Sequence, residues 1–149
     1  MLNQFRDVFA SLHSHDVKYV VIGGIAAILH GVPRTTFDLD ILIEATTENA
    51  ERLLLALLEA RLGTATLTTP EDLLAHEITV FNDRVRIDVQ TSTPGITFES
   101  AWERREVMRY QSQVFYTVGL DDLLASKRAA GRARDLDDVR VLEAGQAAE

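Results

Sequence analysis

Residues 17–44 read VKYVVIGGIAAILHGVPRTTFDLDILIE, and this stretch decides the fold. The β-branched run at residues 17–22 predicts a buried strand, and the pair Gly23-Gly24 predicts a tight turn at its end. Residues 25–29 are apolar and are typical of a short helix, which ends before Pro33. The sequence thus predicts a strand, a glycine turn and a helix in direct succession.

The next strand, at residues 35–44, alternates acidic and apolar side chains. Asp38 and Asp40 fall on one face, with Cα atoms about 6.5 Å apart, while Leu39 faces the other way. Two acids so close together repel each other and are poorly placed in a core unless a cation lies between them. The competing interpretation is that each aspartate only solvates an exposed strand face, and the alternation alone leaves both open.

A third acid, Asp88, lies in a similar alternating stretch at residues 86–90. If the two acidic strands are neighbours in the sheet, Asp38, Asp40 and Asp88 converge on one patch. Carboxylate oxygens suit Mg²⁺ or Mn²⁺, because these ions prefer hard ligands and keep water positions open for substrate phosphates. The sequence therefore predicts a divalent-metal site on the acidic face of the sheet.

The glycine pair has a functional interpretation beside its structural one. Gly23 and Gly24 end a strand and start a helix, where free backbone N–H groups bind phosphate. The pair lacks the G-x-G-x-x-G spacing of dinucleotide folds and the Gly-Lys-Ser/Thr of phosphate loops, so alone it indicates only a turn. Combined with the acidic strand, it predicts an anion cradle opposite a metal cradle, which is what nucleotide handling requires.

Helices and strands are mixed in the rest of the chain, with no repeat and no linker. We predict one domain, residues 1–149, of α/β (α+β) class, with a mixed β-sheet flanked by helices and two C-terminal helices. Two hairpins are expected, at 78–81 with 85–90 and at 107–110 with 114–118. The expected helices are at residues 2–15, 50–60, 70–72, 98–103, 120–130 and 135–145.

Composition and charge exclude several classes of function. The chain has 149 residues, a net charge of −8 and no cysteine, so disulfides, thiolate zinc sites and cysteine nucleophiles are excluded. The N-terminus does not resemble a signal peptide, and the apolar run at residues 19–29 is too short for a bilayer, so we expect a soluble cytoplasmic protein without a membrane partner. The net negative charge of the chain would repel a phosphate backbone and so opposes general nucleic-acid binding.

A local cluster of basic residues is either a solvated helix face or an anion site: Lys127, Arg128, Arg132 and Arg134.

Together these motifs resemble the signature of the polymerase-β-type nucleotidyltransferase superfamily. The resemblance rests on residues 20–24 (VVIGG), His30-Gly31, Arg34-x-Thr36 and Asp38-x-Asp40. Within the superfamily, the sequence is most similar to the abortive-infection toxin (AbiEii-type) branch, found in bacterial toxin–antitoxin pairs. Residues 121–138 resemble the C-terminal helices of that branch, so the likeness covers about residues 17–140.

The resemblance implies a nucleotidyltransferase fold and transfer of a nucleoside monophosphate from an NTP to an acceptor hydroxyl. It implies that Asp38 and Asp40 hold two Mg²⁺ (or Mn²⁺) ions, and that Asp88 completes the second site and accepts the hydroxyl proton. Many members carry Gly-Ser where this chain has its glycine pair, so one hydroxyl contact to phosphate is missing here. The implied nucleotide-binding residues are Gly23, Gly24, Arg34, Thr36 and Lys127.

The resemblance leaves the acceptor and the partners open. One hypothesis is an active transferase for RNA (tRNA) or protein, the toxin of a pair with a cognate antitoxin. The other is a non-catalytic module of the same fold that binds a nucleotide or a partner protein, and a homodimer is compatible with both. An RNA acceptor requires a positive rim around the acidic centre, expected from Arg34, Lys127, Arg128, Arg132 and either Arg84 or Arg86.

Other candidate residues have a structural interpretation that we favour. Trp102 and Tyr110 are expected to pack in the core rather than stack on a base. His30 is expected to cap a helix end. The acids at the start of the last helix are expected to be solvated and favoured by the helix dipole: Asp135, Asp137 and Asp138.

Overall fold

The computed structural model describes residues 1–148. In that part of the chain, the strands are β1 (Tyr19–Ile22), β2 (Asp38–Ile43), β3 (Ile78–Asn82), β4 (Arg86–Gln90), β5 (Glu106–Tyr110) and β6 (Gln113–Thr117). The α-helices are α1 (Arg6–Ser14), α2 (Gly23–Leu29), α3 (Thr47–Glu59), α4 (Pro70–Ala75), α5 (Phe98–Glu103), α6 (Leu120–Ala130) and α7 (Ala133–Ala148). Short 3₁₀ helices form at Leu2–Phe5 and Gly63–Leu67.

The six strands form one mixed sheet in the order β3-β4-β2-β1-β6-β5. Strand β2 runs antiparallel to β1 and parallel to β4, while β1 and β6 are parallel. Both predicted hairpins are present, as the antiparallel pairs β3/β4 and β5/β6. The prediction of a mixed sheet flanked by helices is confirmed, including the two helices at the C-terminus.

The core lies between this sheet and the helices that pack on it. All four residues of β1 are buried, because β1 is a central strand with apolar side chains on both faces. Helix α1 packs against α3 and β6, where the Phe9 and Phe115 rings stack with centroids 4.5 Å apart. Burial of these aromatic and aliphatic groups is the main source of stability.

A buried asparagine joins the outer ends of β1 and β2. The Asn49 side chain accepts a hydrogen bond from Lys18 N at 2.8 Å and donates to Lys18 O and Glu44 O at 2.9 Å each. Asn49 lies in the first turn of α3, which Thr46 caps by accepting from the Asn49 backbone N–H. One side chain therefore fixes the start of α3 to both strands and sets their relative register.

Some expectations differ in detail from the structure. Helix α7 begins two residues before the predicted start and runs three residues beyond the predicted end. Phe37, which directly precedes β2, is 72% exposed. Leu42 shares the face of Asp38 and Asp40 yet is fully buried, so only the start of β2 is open to solvent. Among residues 1–148, no helix combines the length and the apolar character needed to cross a membrane.

Candidate active site

The three predicted carboxylates lie on adjacent strands and face one cavity. In the parallel pairing of β2 with β4, Asp40 lies opposite Asp88 and Asp38 lies opposite Arg86. Adjacent strands are about 4.8 Å apart and alternate residues share a face, so the three acids form one cluster. Asp38, Asp40 and Asp88 all line a cavity of about 540 Å³.

Asp40 is the most perturbed acid of this cluster. Burial, followed by the charges of the neighbouring Asp88 and Asp38 carboxylates, raises the pKa of Asp40 to about 7. Arg86 opposes this rise without cancelling it. Asp40 is half-buried and would carry a proton near neutral pH, because it lies away from water and beside two other carboxylates. Such a shifted pKa is typical of functional sites.

Arg86 supplies the protein's own cation at this cluster. Its Nε lies 3.0 Å from Asp88 Oδ1 and 3.9 Å from Asp38 Oδ2, and its side chain is 45% exposed. Within residues 1–148, no three His, Asp or Glu side chains are arranged to ligate one ion together. In these side-chain positions Arg86 pairs with Asp88 and Asp38, and the expectation that the three carboxylates hold a metal ion stays a prediction.

The glycine turn lies directly against the acidic cluster. Gly23 has φ +67°, a left-handed conformation, and a β-carbon there would overlap Asp40 Oδ2. A β-carbon on Gly24 would lie 3.4 Å from both Arg34 Nη1 and Thr36 Cγ2. At Gly23 only a residue without a side chain fits against the Asp40 carboxylate, whereas a β-carbon on Gly24 would contact the Arg34 guanidinium without overlap.

Helices α6 and α7 provide a basic wall to the same cavity. Lys127 is buried, and its Nζ lies 2.7 Å from Asp138 Oδ2 and 3.6 Å from Asp135 Oδ1. Arg34 also binds Asp138, with Nη2 at 2.8 Å from Oδ2. The basic groups are thus held in place by two aspartates of α7, at the edge of a cavity that they share with the carboxylate cluster.

The role of Asp135 and Asp138 corrects the sequence interpretation. Both were expected to be solvated, yet each is 3% exposed, whereas Asp137 points to solvent. Burial alone would raise their pKa values, but Arg132 lowers the pKa of Asp135, and Arg34 and Lys127 lower that of Asp138. A spacing of three places both aspartates on one helix face, but it does not distinguish a buried face from a solvated one.

The predicted positive rim forms in part. Arg34, Lys127, Arg132 and Arg134 line the cavity, whereas Arg128 pairs with Glu143 outside it. Arg84 donates to the Ala60 carbonyl, and Arg86 is engaged by the acids. His30 contacts the Val118 carbonyl oxygen at 2.8 Å, and Trp102 and Tyr110 pack against the core as expected.

Three further polar residues that we did not single out as candidates line the cavity: Gln90, Thr93 and Ser126. Gln90 follows Asp88 by two positions, so strand periodicity places it on the same face of β4. Ser126 precedes Lys127 on α6. Thr93 lies with Pro94 in the loop after β4, and both also line the cavity.

Fold and site together define a class of protein. A mixed sheet with a glycine turn, an acidic strand pair and a basic helix around one cavity characterises a nucleotidyltransferase domain, as the sequence motifs led us to expect. The chain belongs to the family described as "Nucleotidyltransferase of unknown function (DUF6036)", whose family model matches residues 2–144. The comparison with curated proteins found no match. The family match does not confirm the likeness to the AbiEii-type branch, which stays a prediction.

Proposed function

We propose that this chain is an Mg²⁺-dependent (or Mn²⁺-dependent) nucleotidyltransferase that transfers a nucleoside monophosphate from an NTP to an acceptor hydroxyl. The observation that carries the proposal is the joining of three carboxylates, the glycine turn and a basic wall in one cavity of about 540 Å³. A cavity of that volume accommodates a ligand of nucleotide size. The acidic side chains of the cavity suit a metal ion at the reacting phosphate, and the basic side chains suit binding of the triphosphate.

The residues present fit a divalent cation. Asp38, Asp40 and Asp88 offer only hard oxygen donors. Burial, together with the neighbouring carboxylates, leaves Asp40 with a pKa near 7, and a divalent cation would offset both effects. Mg²⁺ binds through one or two protein carboxylates plus substrate phosphates and water, so one ion needs no complete set of three protein ligands. Bound there, the cation would neutralise charge on the reacting phosphate and the leaving group.

The protein's own groups have distinct roles in this proposal. The backbone N–H groups of Gly23 and Gly24, with Arg34 and Lys127, bind the triphosphate and hold it in line for displacement. Thr36 lies beside Gly24 and Arg34 in the lining of the same cavity. The acceptor oxygen forms a bond to the α-phosphorus, the bond from that phosphorus to the β-phosphate oxygen breaks, and pyrophosphate leaves. Asp88 takes the proton of the acceptor hydroxyl.

The acceptor belongs to the same proposal: a hydroxyl of RNA (tRNA) or of a protein, with the chain acting as the toxin of a toxin–antitoxin pair. The cavity is lined by four basic and four acidic side chains, so it presents no uniformly positive path for an RNA backbone. A cognate antitoxin or a second copy of the chain would then complete the acceptor site.

One observation favours a second candidate, a non-catalytic module that binds a nucleotide or a partner protein. Arg86 pairs with Asp88 and Asp38, and its guanidinium would replace the metal ion in a non-catalytic site. In the catalytic proposal Arg86 must instead swing away, which its exposed position permits.

Transfer of label from α-³²P-labelled NTPs, with Mg²⁺ and with either tRNA or total protein as acceptor, tests the two candidates. The enzyme should label one acceptor class, and Asp40→Asn and Asp88→Asn should each reduce labelling at least 100-fold, the order of magnitude for removing a group that acts directly on the reacting atoms. Asp121→Asn is the matched control, because Asp121 is exposed and lies outside the cavity. Nucleotide binding without labelling in any combination would leave the non-catalytic module as the function.

A further inference from the structure

The lining of the cavity includes polar side chains that the proposed phosphate chemistry does not use, Gln90 and Ser126 among them. Gln90 of β4 and Ser126 of α6 both line the cavity, and both are half-buried. Neither side chain forms a hydrogen bond with another residue of the described chain, 1–148. A primary amide and a hydroxyl therefore face the cavity with free donor and acceptor positions.

The position of Gln90 relates these groups to the reaction centre. Gln90 and Asp88 share one face of β4, with Cα atoms about 6.5 Å apart. This separation is comparable to the span of a ribose between an α-phosphate and its base. Gln90 also pairs in register with Leu42 of β2 and Ile78 of β3, so its amide emerges from apolar neighbours.

Apolar side chains line the cavity together with the polar ones. Ile78, Pro94, Leu123 and Ala130 contribute to its lining from the sheet, the loop after β4 and α6. A few polar groups fixed among apolar surfaces are the usual composition of a site for a small planar ligand. The charged groups of the cavity lie on the acidic strands, at Arg34 before β2, at Lys127 of α6 and around the start of α7.

Gly95 fixes part of this lining in place. It has φ +84°, and a β-carbon there would lie 2.6 Å from the Ala125 carbonyl oxygen and 2.9 Å from Ala129 Cβ. The backbone of the loop after β4 thus lies directly on α6, so Pro94 and Ser126 keep a defined separation. This part of the lining is formed before any ligand enters, which a specificity site requires.

We propose that Gln90 and Ser126 form the nucleobase subsite of this cavity and determine which NTP the chain prefers. The inference rests on the proposed function, because the base is placed by a triphosphate bound at the glycine turn. The Gln90 amide donates and accepts side by side, so it pairs with two adjacent groups on a base edge. The Ser126 hydroxyl, on α6 where the loop after β4 packs against it, contributes a third hydrogen bond.

Equilibrium binding of the four α,β-methylene NTP analogues, measured with Mg²⁺ by calorimetry, tests the inference. These analogues resist cleavage at the bond that the reaction breaks. Gln90→Glu replaces a donor–acceptor pair by acceptors alone, which favours the N1–H and N2–H₂ donors of guanine. The ratio of the Kd values for the adenine and guanine analogues should move toward guanine by about 5- to 150-fold, the effect of one bidentate base contact. Taking a ratio cancels the general effect of the added negative charge.

Companion variants separate recognition from folding. Gln90→Leu should reduce the spread of Kd values among the four analogues, and Ser126→Ala should do so to a smaller extent. Gln113→Glu is the matched control, because Gln113 lies on β6 outside the cavity and binds the Val114 carbonyl. Thermal unfolding of each variant verifies that it is folded at the binding temperature.

Inorganic tripolyphosphate separates the failure of this inference from that of the proposed function. If the wild-type chain binds tripolyphosphate and all four analogues, but Gln90→Glu and Gln90→Leu keep the wild-type Kd ratios, the nucleobase subsite is elsewhere and the triphosphate site stands. If the wild-type chain binds neither tripolyphosphate nor any analogue, the proposed function and the subsite are both wrong.

Discussion

Replacing Asp40 by asparagine should stabilise the metal-free protein at high pH. In the folded chain the pKa of Asp40 is raised to about 7 from 3.8, foremost by burial and then by the Asp88 and Asp38 charges. The folded state therefore holds its proton more tightly than the unfolded state does. As a result, Asp40 lowers stability increasingly as the pH rises from about 4 to about 7, and its full cost is present above pH 7.

The pKa difference sets the upper limit of this cost. About three pH units at about 1.4 kcal/mol each give about 4 kcal/mol for an immobile site. Relaxation of Arg86 and entry of water reduce the effect, so we expect Asp40→Asn to add about 1–3 kcal/mol at pH 8. For a domain of this length, that raises the Tm by about 3–10 °C. At pH 5, about one unit above the unfolded pKa of 3.8, only about a third of this cost is present, so the gain should be correspondingly smaller than at pH 8.

Thermal unfolding in EDTA at pH 5 and pH 8 measures this difference. Glu51→Gln is the control, since Glu51 is an exposed acid on α3 and its neutralisation should change the Tm little at either pH. Mg²⁺ at pH 8 should raise the Tm of the wild-type protein more than that of Asp40→Asn. The reasoning is refuted if Asp40→Asn has the wild-type Tm at pH 8, or if its shift is equal at the two pH values.

Three other substitutions give distinct outcomes. Asp138→Asn leaves Arg34 and the buried Lys127 without their shared carboxylate, and it should lower the free energy of unfolding in urea by about 3 kcal/mol. Asp137→Asn, on the exposed face of the same helix, should change that free energy by under about 0.5 kcal/mol. Gly23→Ala should lower the Tm and weaken tripolyphosphate binding, because the new β-carbon would overlap Asp40 at a residue with a positive φ. The control Gly145→Ala has open space around it in α7 and should raise the Tm slightly. A Gly23→Ala protein with the wild-type Tm would contradict the close packing of Gly23 on Asp40. Asn49→Ala removes three buried hydrogen bonds at once and should cost about 2–4 kcal/mol, so a loss below 1 kcal/mol would mean that the β1–β2 register does not depend on this side chain.

Much of the local structure was predictable from the sequence. The β-branched run before Gly23, the alternation around Asp38 and Asp40, and the turn-flanked hairpins each depend on residues within a few positions of one another. The composition of the acidic face was readable for the same reason, since a strand repeats every two residues. Gln90 could have been included by the same rule, applied two residues beyond Asp88.

The electrostatic detail of the site was not predictable in this way. The burial of Asp135 and Asp138 depends on where α7 meets α6 and on the arrival of Arg34 from a loop about 100 residues earlier in the chain. The pairing of Arg86 with both Asp88 and Asp38 depends on side-chain positions across two strands. Neither contact has a short-range signature that separates it from an ordinary solvated charge.

The sequence by itself determined the strand, the glycine turn, the acidic alternation and the class of chemistry that these features serve. Only the tertiary structure decided that β2 lies beside β4, that a basic wall closes over them, and that an arginine rather than open space separates the carboxylates. The physical reason is the range of the forces involved. Backbone periodicity and turn preference act between near neighbours, whereas strand order and ion pairing are selected by the packing of the whole core.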